Sequence, residues 1–372
     1  MKNPKILFIM QLPPPVHGAS MVNQSIKESK KINQSFDCHY VNLTTASDVN
    51  DIGKSGLRKY AKSLFIYFEV LIKIILNRYN LVYITLSPLG IAFYKDAFLV
   101  IMLKFFGCKL VFHLHGKGIK KSSEKSSLNR RIYKLVFSKV NIIQLSPILY
   151  EDIKQIVSKR KVWFVANGIK ENSRTESKIK RTNNQILYLS NMQESKGSFT
   201  LLKAAKILKD KGIDFHVNFI GKWHNNEEYK QTWTRYYQEN HLSNNVTYLG
   251  PKYGAEKESF FEKASCFVLP TYYKNECFPI SILEAMSFGL PVVSTNEGAI
   301  SEIIDNDCNG FIIDKHNPEN LANKLLELLK NKNLREKFGK NAKLKFDKNY
   351  TMKNFEYNFC KTLVDINNNQ KV

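Results

Sequence analysis

Short apolar runs recur along this chain at intervals that each leave room for one helix, and the series stops once and starts afresh. The first series lies at residues 5–10 (KILFIM), 80–85 (NLVYIT), 109–115 (KLVFHLH), 140–145 (VNIIQL) and 162–165 (VWFV). The second lies at 185–190 (QILYLS), 215–220 (FHVNFI), 246–249 (VTYL), 265–270 (SCFVLP), 290–294 (LPVVS) and 310–313 (GFII). Helix-length segments fill the gaps, among them 20–30, 198–211, 227–240, 257–263, 279–288 and 319–331. Runs without polar alternation belong to strands buried on both faces, and parallel strands need crossover helices to connect them. The pattern predicts an α/β chain built twice over, each half a doubly wound parallel sheet with helices on both faces.

Between the two series, residues 170–185 (KENSRTESKIKRTNNQ) carry no apolar periodicity and read as a connector. A chain of 372 residues fits two domains at roughly 100 to 200 residues each. The expected plan is a first domain at 1–168, a linker at 169–184, a second domain at 185–350 and a C-terminal helix in 351–372. In that helix Phe355, Phe359, Leu363 and Ile366 stand at helical spacing, and the first domain is its candidate docking surface. Doubly wound sheets bind ligands beyond the carboxyl ends of their strands, so a cleft between two facing units is the expected site.

Composition narrows the function classes. With 43% hydrophobic and 24% charged residues the chain has the makeup of a folded protein. Its six cysteines form no C-x-x-C pair and have no histidines at zinc-finger spacing, which points to a reducing cytoplasm and to no structural zinc. The apolar run at 6–10 is too short for a signal-peptide core, so export is not expected. The longest apolar stretches, 64–76 and 97–106, are interrupted by Glu69, Lys73 and Lys104 and fall short of the roughly 20 residues of a membrane span.

Net charge is +23 and uneven: residues 1–170 hold 27 Lys and Arg against 9 Asp and Glu, residues 171–372 hold 29 against 24. Such a field suits nucleic acid, an anionic membrane surface or phosphate-bearing substrates, and solvated lysine-rich faces account for it as well. No RNP, KH or helix-turn-helix signature accompanies the charge, so nucleic acid is not an expected partner.

Most of the chemistry is concentrated in residues 275–298 (NECFPISILEAMSFGLPVVSTNEG). An apolar strand runs into a loop carrying Glu276, and a helix is expected to begin at Pro279, since proline favours the first helical position. The free amides at that helix start, those of Ile280 and Ser281 above all, suit a diphosphate. Ile282, Leu283 and Met286 are expected to face the core. Glu284 lies among these apolar neighbours, and a salt bridge, an early-helix charge that favours the dipole or a ligand contact would each account for it.

This segment resembles the E-x7-E motif of retaining GT-B glycosyltransferases, family 4 in particular, with Glu276 and Glu284 eight residues apart. The resemblance implies that Glu276 contacts donor-sugar hydroxyls, that Glu284 binds the nucleotide ribose, and that the backbone from Phe278 through Pro279 and Ile280 to Ser281 supplies the amides that hold the phosphates. Residues 189–197 (LSNMQESKG) resemble the family's G-R-L-x-x-x-K-G segment, with Lys196 as the donor-phosphate cation. Asn191 stands where many members carry arginine and brings a hydrogen-bond donor without charge. In the first half, Gly18 of 14–19 (PPVHGA) resembles the glycine that approaches the donor, and His115, at a strand end two residues after His113, is the histidine the resemblance places near the sugar.

By resemblance, then, the fold is GT-B, two Rossmann-like domains facing a central cleft, and the activity is transfer of a sugar from a nucleotide diphosphate sugar, UDP-sugar favoured, to an acceptor hydroxyl with retention. The expected catalytic residues are Glu276, Lys196 and His115; the donor-binding set is Gly18, Asn191, Lys196, Glu276, Phe278, Pro279, Ile280, Ser281 and Glu284. No cofactor and no metal are expected, because Lys196 and helix amides would carry the diphosphate charge. The expected partners are the nucleotide sugar, a glycan or lipid-linked acceptor of bacterial surface polysaccharide assembly, and an anionic membrane surface, for which residues 57–78 alternate cationic and apolar side chains. The expected location is the cytoplasm, at the inner face of the cell membrane. A catalytically inactive GT-B subunit supporting a partner enzyme is the competing reading, prompted by Asn191.

Overall fold

The computed structural model describes residues 3–45, 57–171, 181–182 and 184–369. Most of the expected linker, 172–180 and 183, lies outside the described residues. The chain divides into two compact units: Met1–Gly168 with Lys353–Val372, and Ile169–Met352.

The first unit begins with β1 (Lys5–Met10), α1 (Gly18–Glu28), α2 (Lys30–Ser35), β2 (Asp37–Asn42), α3 (Leu57–Leu76) and β3 (Leu81–Ile84). It continues with α4 (Gly90–Phe105), β4 (Leu110–Leu114), α5 (Ile119–Ser123), α6 (Ser127–Phe137), β5 (Asn141–Gln144) and β6 (Val162–Phe164). The second unit holds β7 (Gln185–Leu189), α7 (Ser198–Asp210), β8 (His216–Ile220), α8 (Glu227–Glu239), β9 (Val246–Tyr248), α9 (Gly254–Lys263) and β10 (Cys266–Leu269). Then follow α10 (Ile280–Ser287), β11 (Val292–Thr295), α11 (Ile300–Ile303), β12 (Gly310–Ile313), α12 (Pro318–Lys330) and α13 (Lys332–Asn349), and the chain closes on α14 (Met352–Asn367).

Each unit has a six-stranded sheet, ordered β2-β1-β3-β4-β5-β6 in the first and β12-β11-β10-β7-β8-β9 in the second. Every strand pair is parallel, as the unalternating apolar runs predict. Helices α3, α4 and α6 pack on one face of the first sheet. There Val82, Ile84, Phe112 and Leu114 pack with Ile66, Val70, Phe93 and Val100 in one core. Tyr83 and His113, one residue out of phase, point to the opposite face and meet Phe359 of α14 at ring-centroid distances of 5.5 and 6.1 Å. Ser29 donates to Glu356 Oε1 at 2.5 Å on that side.

Three features depart from the sequence reading. The edge strand β2 (DCHYVN) is absent from the expected series because only one of its faces meets the core, leaving Asp37 and Asn42 exposed. Helix α13 is unexpected because half of its residues are charged and Gly339 breaks the pattern. Its buried side is Phe338, Ala342 and Phe346, and a Cβ on Gly339 would stand 2.3 Å from the Gly289 carbonyl, so the glycine permits close approach to the end of α10. The connector's ends are also built into the second unit. Arg181 donates to the Phe261, Ala264, Phe288 and Gly289 carbonyls, and Ile169 bridges to Thr351.

Candidate functional site

In the second sheet the strands run outward in both directions from β7 and β10, which is the dinucleotide-binding order with its topological switch between those two strands. Two chain segments leave the carboxyl ends there. The loop after β7 forms a 3-10 turn at Glu194–Lys196 and passes through Gly197, whose φ is 80°. A Cβ at Gly197 would stand 2.1 Å from the Pro270 carbonyl, so only glycine lets this loop lie against the end of β10. That close approach brings Lys196 Nζ to 2.7 Å from Glu276 Oε2. The pair is nearly closed to water, with side-chain exposures of 17% and 9%. Thr271 donates its hydroxyl to the same oxygen at 3.2 Å, and the Tyr273 ring lies 4.6 Å under the ammonium.

Helix α10 begins one residue later than the proline preference predicts. Pro279 has φ −69° and ψ 115°, an extended conformation, and is the N-cap; its side chain caps nothing. At that end the Ile282 amide donates to the Pro279 carbonyl at 3.2 Å. The amides of Ile280 and Ser281 precede it on a half-buried turn, at the positive end of the helix dipole. Ile282, Leu283 and Met286 are buried as expected, and the Phe278 ring is buried edge-on to Tyr350, which leaves only its backbone to a ligand. Beneath the loop, Gly298 has φ 60° and a Cβ there would sit 2.4 Å from the Glu276 carbonyl and 2.8 Å from that of Cys277.

Three carboxylates around this helix start are each held by a lysine from another element. Glu276 has Lys196, Glu284 has Lys257 at 2.5 Å, and Glu297 has Lys315 at 2.5 Å. Glu284 therefore has the ion pair that local sequence left open. Asn191 is exposed at the start of the β7 loop, which closes against β8: a Cβ on Gly221 would overlap the Ser190 carbonyl at 1.8 Å. Among the described residues, no group of three or more His, Cys, Asp or Glu could hold a metal ion.

The first unit carries a second group of candidates at the ends of β1 and β4. His17 caps α1, accepting from the Ser20 amide at 3.3 Å through Nδ1. Gly18 opens the helix, exposed and with no protein atom near its Cβ position. His113 is fully buried and shares a 2.6 Å hydrogen bond with the Tyr83 hydroxyl, which fixes it in the core. His115, with its ring centroid 4.1 Å from that of His113, has both nitrogens sealed from solvent and without a hydrogen-bond partner. Burial lowers its pKa to about 3, and the neighbouring His17 adds to the effect; burial and His115 likewise hold His113 well below the ordinary histidine value. Both rings are neutral at physiological pH.

Sequence reasoning did not single out Thr271, Tyr273, Lys257 or Lys315. Thr271 had a legible signal, a hydroxyl directly after the apolar strand; the lysines had none, since α9 and the segment after β12 meet the site only through the fold. Chemically, the arrangement presents a helix N-terminus, a cation that can leave its carboxylate, and two further carboxylates suited to hydroxyl groups.

Known proteins resemble this chain in its second unit and in its fold. Residues 169–345 match the family model "Glycosyl transferases group 1". The chain is 32% identical over 180 residues to an uncharacterized glycosyltransferase of Methanocaldococcus jannaschii, a match covering 46% of this chain and 49% of that protein. It is 29% identical over 148 residues to the amylovoran biosynthesis glycosyltransferase AmsK of Erwinia amylovora, covering 39% of this chain and 35% of the relative. The matches thus span less than half the length of these relatives. Among solved structures, Anabaena HepE in complex with UDP and glucose superposes with a TM-score of 0.74 at 18% identity, over 97% of this chain and 100% of that one. The likeness shows the fold, the two Rossmann-like units of the GT-B architecture.

Proposed function

We propose that this chain, whose residues 169–345 match the glycosyl transferases group 1 family model, is a retaining glycosyltransferase that uses a nucleotide diphosphate sugar. The observation that carries the reading is the Lys196–Glu276 pair, 2.7 Å apart at the switch point beside the start of α10. The donor's diphosphate lies on the amides of Ile280 and Ser281, and its arrival draws Lys196 away from Glu276 toward phosphate oxygen. Glu276, released, accepts hydrogen bonds from sugar hydroxyls, and Glu284 accepts from the ribose. UDP is the favoured nucleotide, in keeping with the UDP bound by HepE.

In the reaction the bond from the anomeric carbon to phosphate oxygen breaks and a bond from that carbon to the acceptor oxygen forms on the same face. The acceptor proton passes to the departing diphosphate, and Lys196 with the helix amides stabilises the charge it gains. This route calls for no resident metal, and EDTA is expected to leave turnover unchanged. The acceptor is a glycan or lipid-linked glycan of surface polysaccharide assembly, a reading supported by AmsK being an amylovoran biosynthesis glycosyltransferase, and the cationic excess of residues 1–170 suits an anionic membrane face.

A screen of UDP-, GDP- and ADP-sugars for donor hydrolysis and transfer, with Glu276→Ala and Lys196→Ala beside the parent, tests the reading. Loss of turnover by about 100-fold or more in each variant is expected. Unchanged turnover in both removes the assignment, and donor binding without turnover in the parent favours the inactive-subunit reading.

A further inference from the structure

Two-thirds of the large apolar side chains exposed among the described residues sit on one side of the first unit, on α3, on α4 with its C-terminal cap, and on α6. Helix α3 buries Ile66 and Val70 yet leaves Phe65, Phe68, Ile75 and Leu76 more than 60% exposed. Helix α4 buries Phe93, Ala97, Val100 and Leu103 and turns a second stripe outward. Ile91, Tyr94, Phe98, Ile101 and Phe105 in that stripe recur every three or four residues, and Phe105 is 86% exposed. A helix that is apolar on both sides needs a second apolar environment besides its own core. The two stripes adjoin, with the Tyr67 and Phe98 rings 5.4 Å apart and Tyr67 donating to the Lys95 carbonyl.

Charge identifies the environment. Residues 57–139, which contain all three helices, hold 16 Lys and Arg against 3 Asp and Glu, and one of those acids, Asp96, is fully buried. Beside the apolar stripes, tied to α4 by the Tyr94–Asn129 hydrogen bond, α6 borders a cavity of about 400 Å³ lined by Arg130, Arg131, Lys134, Ser126, Ser127 and Glu124. A second copy of the chain would set this cationic face against itself with two acids to relieve it. An anionic bilayer complements both parts: acyl chains meet the stripes, and headgroup phosphates meet the α6 cations. No described helix is long and apolar enough to cross a membrane, which suits a face that lies in the interface.

We infer that the outer face of α3 and α4 inserts into the surface of an anionic lipid bilayer, with the Arg130–Arg131–Lys134 pocket of α6 receiving lipid headgroups. This rests on the membrane setting proposed above and gives it named residues.

Sedimentation of the full chain with vesicles of equal parts phosphatidylglycerol and phosphatidylcholine, and with phosphatidylcholine alone, tests it at low and high salt. Binding to the anionic vesicles is expected, reduced but not abolished by salt, since the apolar part is not screened. Phe68→Asp with Phe105→Asp is expected to weaken binding by about tenfold or more, both rings being exposed enough to change without loss of fold. Arg130→Gln with Arg131→Gln is expected to remove most of the preference for anionic lipid. The inference is overturned if the parent does not bind anionic vesicles at low salt, or if the two aspartates leave binding unchanged. It is overturned equally if light scattering finds a dimer that those aspartates dissociate. UDP titration of the same proteins keeps the readings apart: it should be unaffected in every variant, and failure of the parent to bind any nucleotide would count against sugar transfer alone.

Discussion

Removing the Lys196 ammonium should destabilise the second unit through what it leaves behind. Glu276 would remain as a carboxylate with 9% side-chain exposure and one hydroxyl partner, Thr271. At 2.7 Å and an effective dielectric of about 20 the attraction in the pair is about 6 kcal/mol, offset by several kcal/mol of lost hydration for each ion. Truncating one member of a buried pair costs about 3–5 kcal/mol, and the 17% exposure of Lys196 points to the lower end, about 3 kcal/mol. For a unit of this size, that is a fall in Tm of about 6–12 °C. Adding Glu276→Gln to Lys196→Ala removes the stranded charge, so the double variant should regain about 2 kcal/mol while recovering no donor affinity. Trp223 and Trp233 lie in the second unit and Trp163 in the first, so tryptophan fluorescence in a Trp163→Phe background follows the relevant unfolding. A double variant no more stable than Lys196→Ala would refute the buried-charge account. Regained donor binding would refute the role of Lys196 in holding phosphate.

Other outcomes can be checked with the same preparations. Gly298→Ala should cost at least about 2 kcal/mol and weaken UDP binding, because its φ is 60° and its Cβ meets two loop carbonyls; Gly250→Ala, with φ 69° and open space, should cost about 1 kcal/mol and leave binding alone. Glu284→Ala should weaken UDP by about tenfold or more but leave a 2′,3′-dideoxy analogue unaffected, whereas Lys257→Ala should cost about 1 kcal/mol of stability or less and no affinity. His115 has a folded pKa of about 3 against 6.5 for the ordinary histidine, so the unfolded chain binds more protons between those values. First-unit stability should therefore rise with pH through that window, by at most about 1.4 kcal/mol per pH unit per histidine, and level off above it. Urea midpoints between pH 4.5 and 7.5 should show a shallower slope in His115→Gln, and equal slopes would contradict the burial account.

The paired α/β plan was legible because its central strands are buried on both faces, and such strands print an uninterrupted apolar run whatever surrounds them. Edge strand β2 and helix α13 were not, for opposite reasons. One face of β2 is solvated, so its sequence dilutes to mixed polarity, and α13 hides three apolar residues among lysines around a glycine that only tertiary contact explains. At the candidate site, Glu276 and Lys196 were legible as residues that follow strand ends, whereas their pairing depends on Gly197 and Pro270, two loops meeting across more than seventy residues of sequence. Lys257 and Lys315 reach Glu284 and Glu297 from distant segments, and nothing near them in the chain announces it.

Helix α14 lies at the far end of the chain but completes the first unit, so the second unit is in effect an insertion between Gly168 and Lys353. Its two ends are pinned together: the Ile169 amide bonds the Tyr350 carbonyl at 3.0 Å and the Met352 amide bonds the Ile169 carbonyl at 2.7 Å. During synthesis the Tyr83 and His113 rings must wait, one face uncovered, while the whole second unit emerges ahead of Phe359. The inserted unit can finish folding before its host, and a nascent chain halted before α14 would hold a complete second unit beside an open sheet.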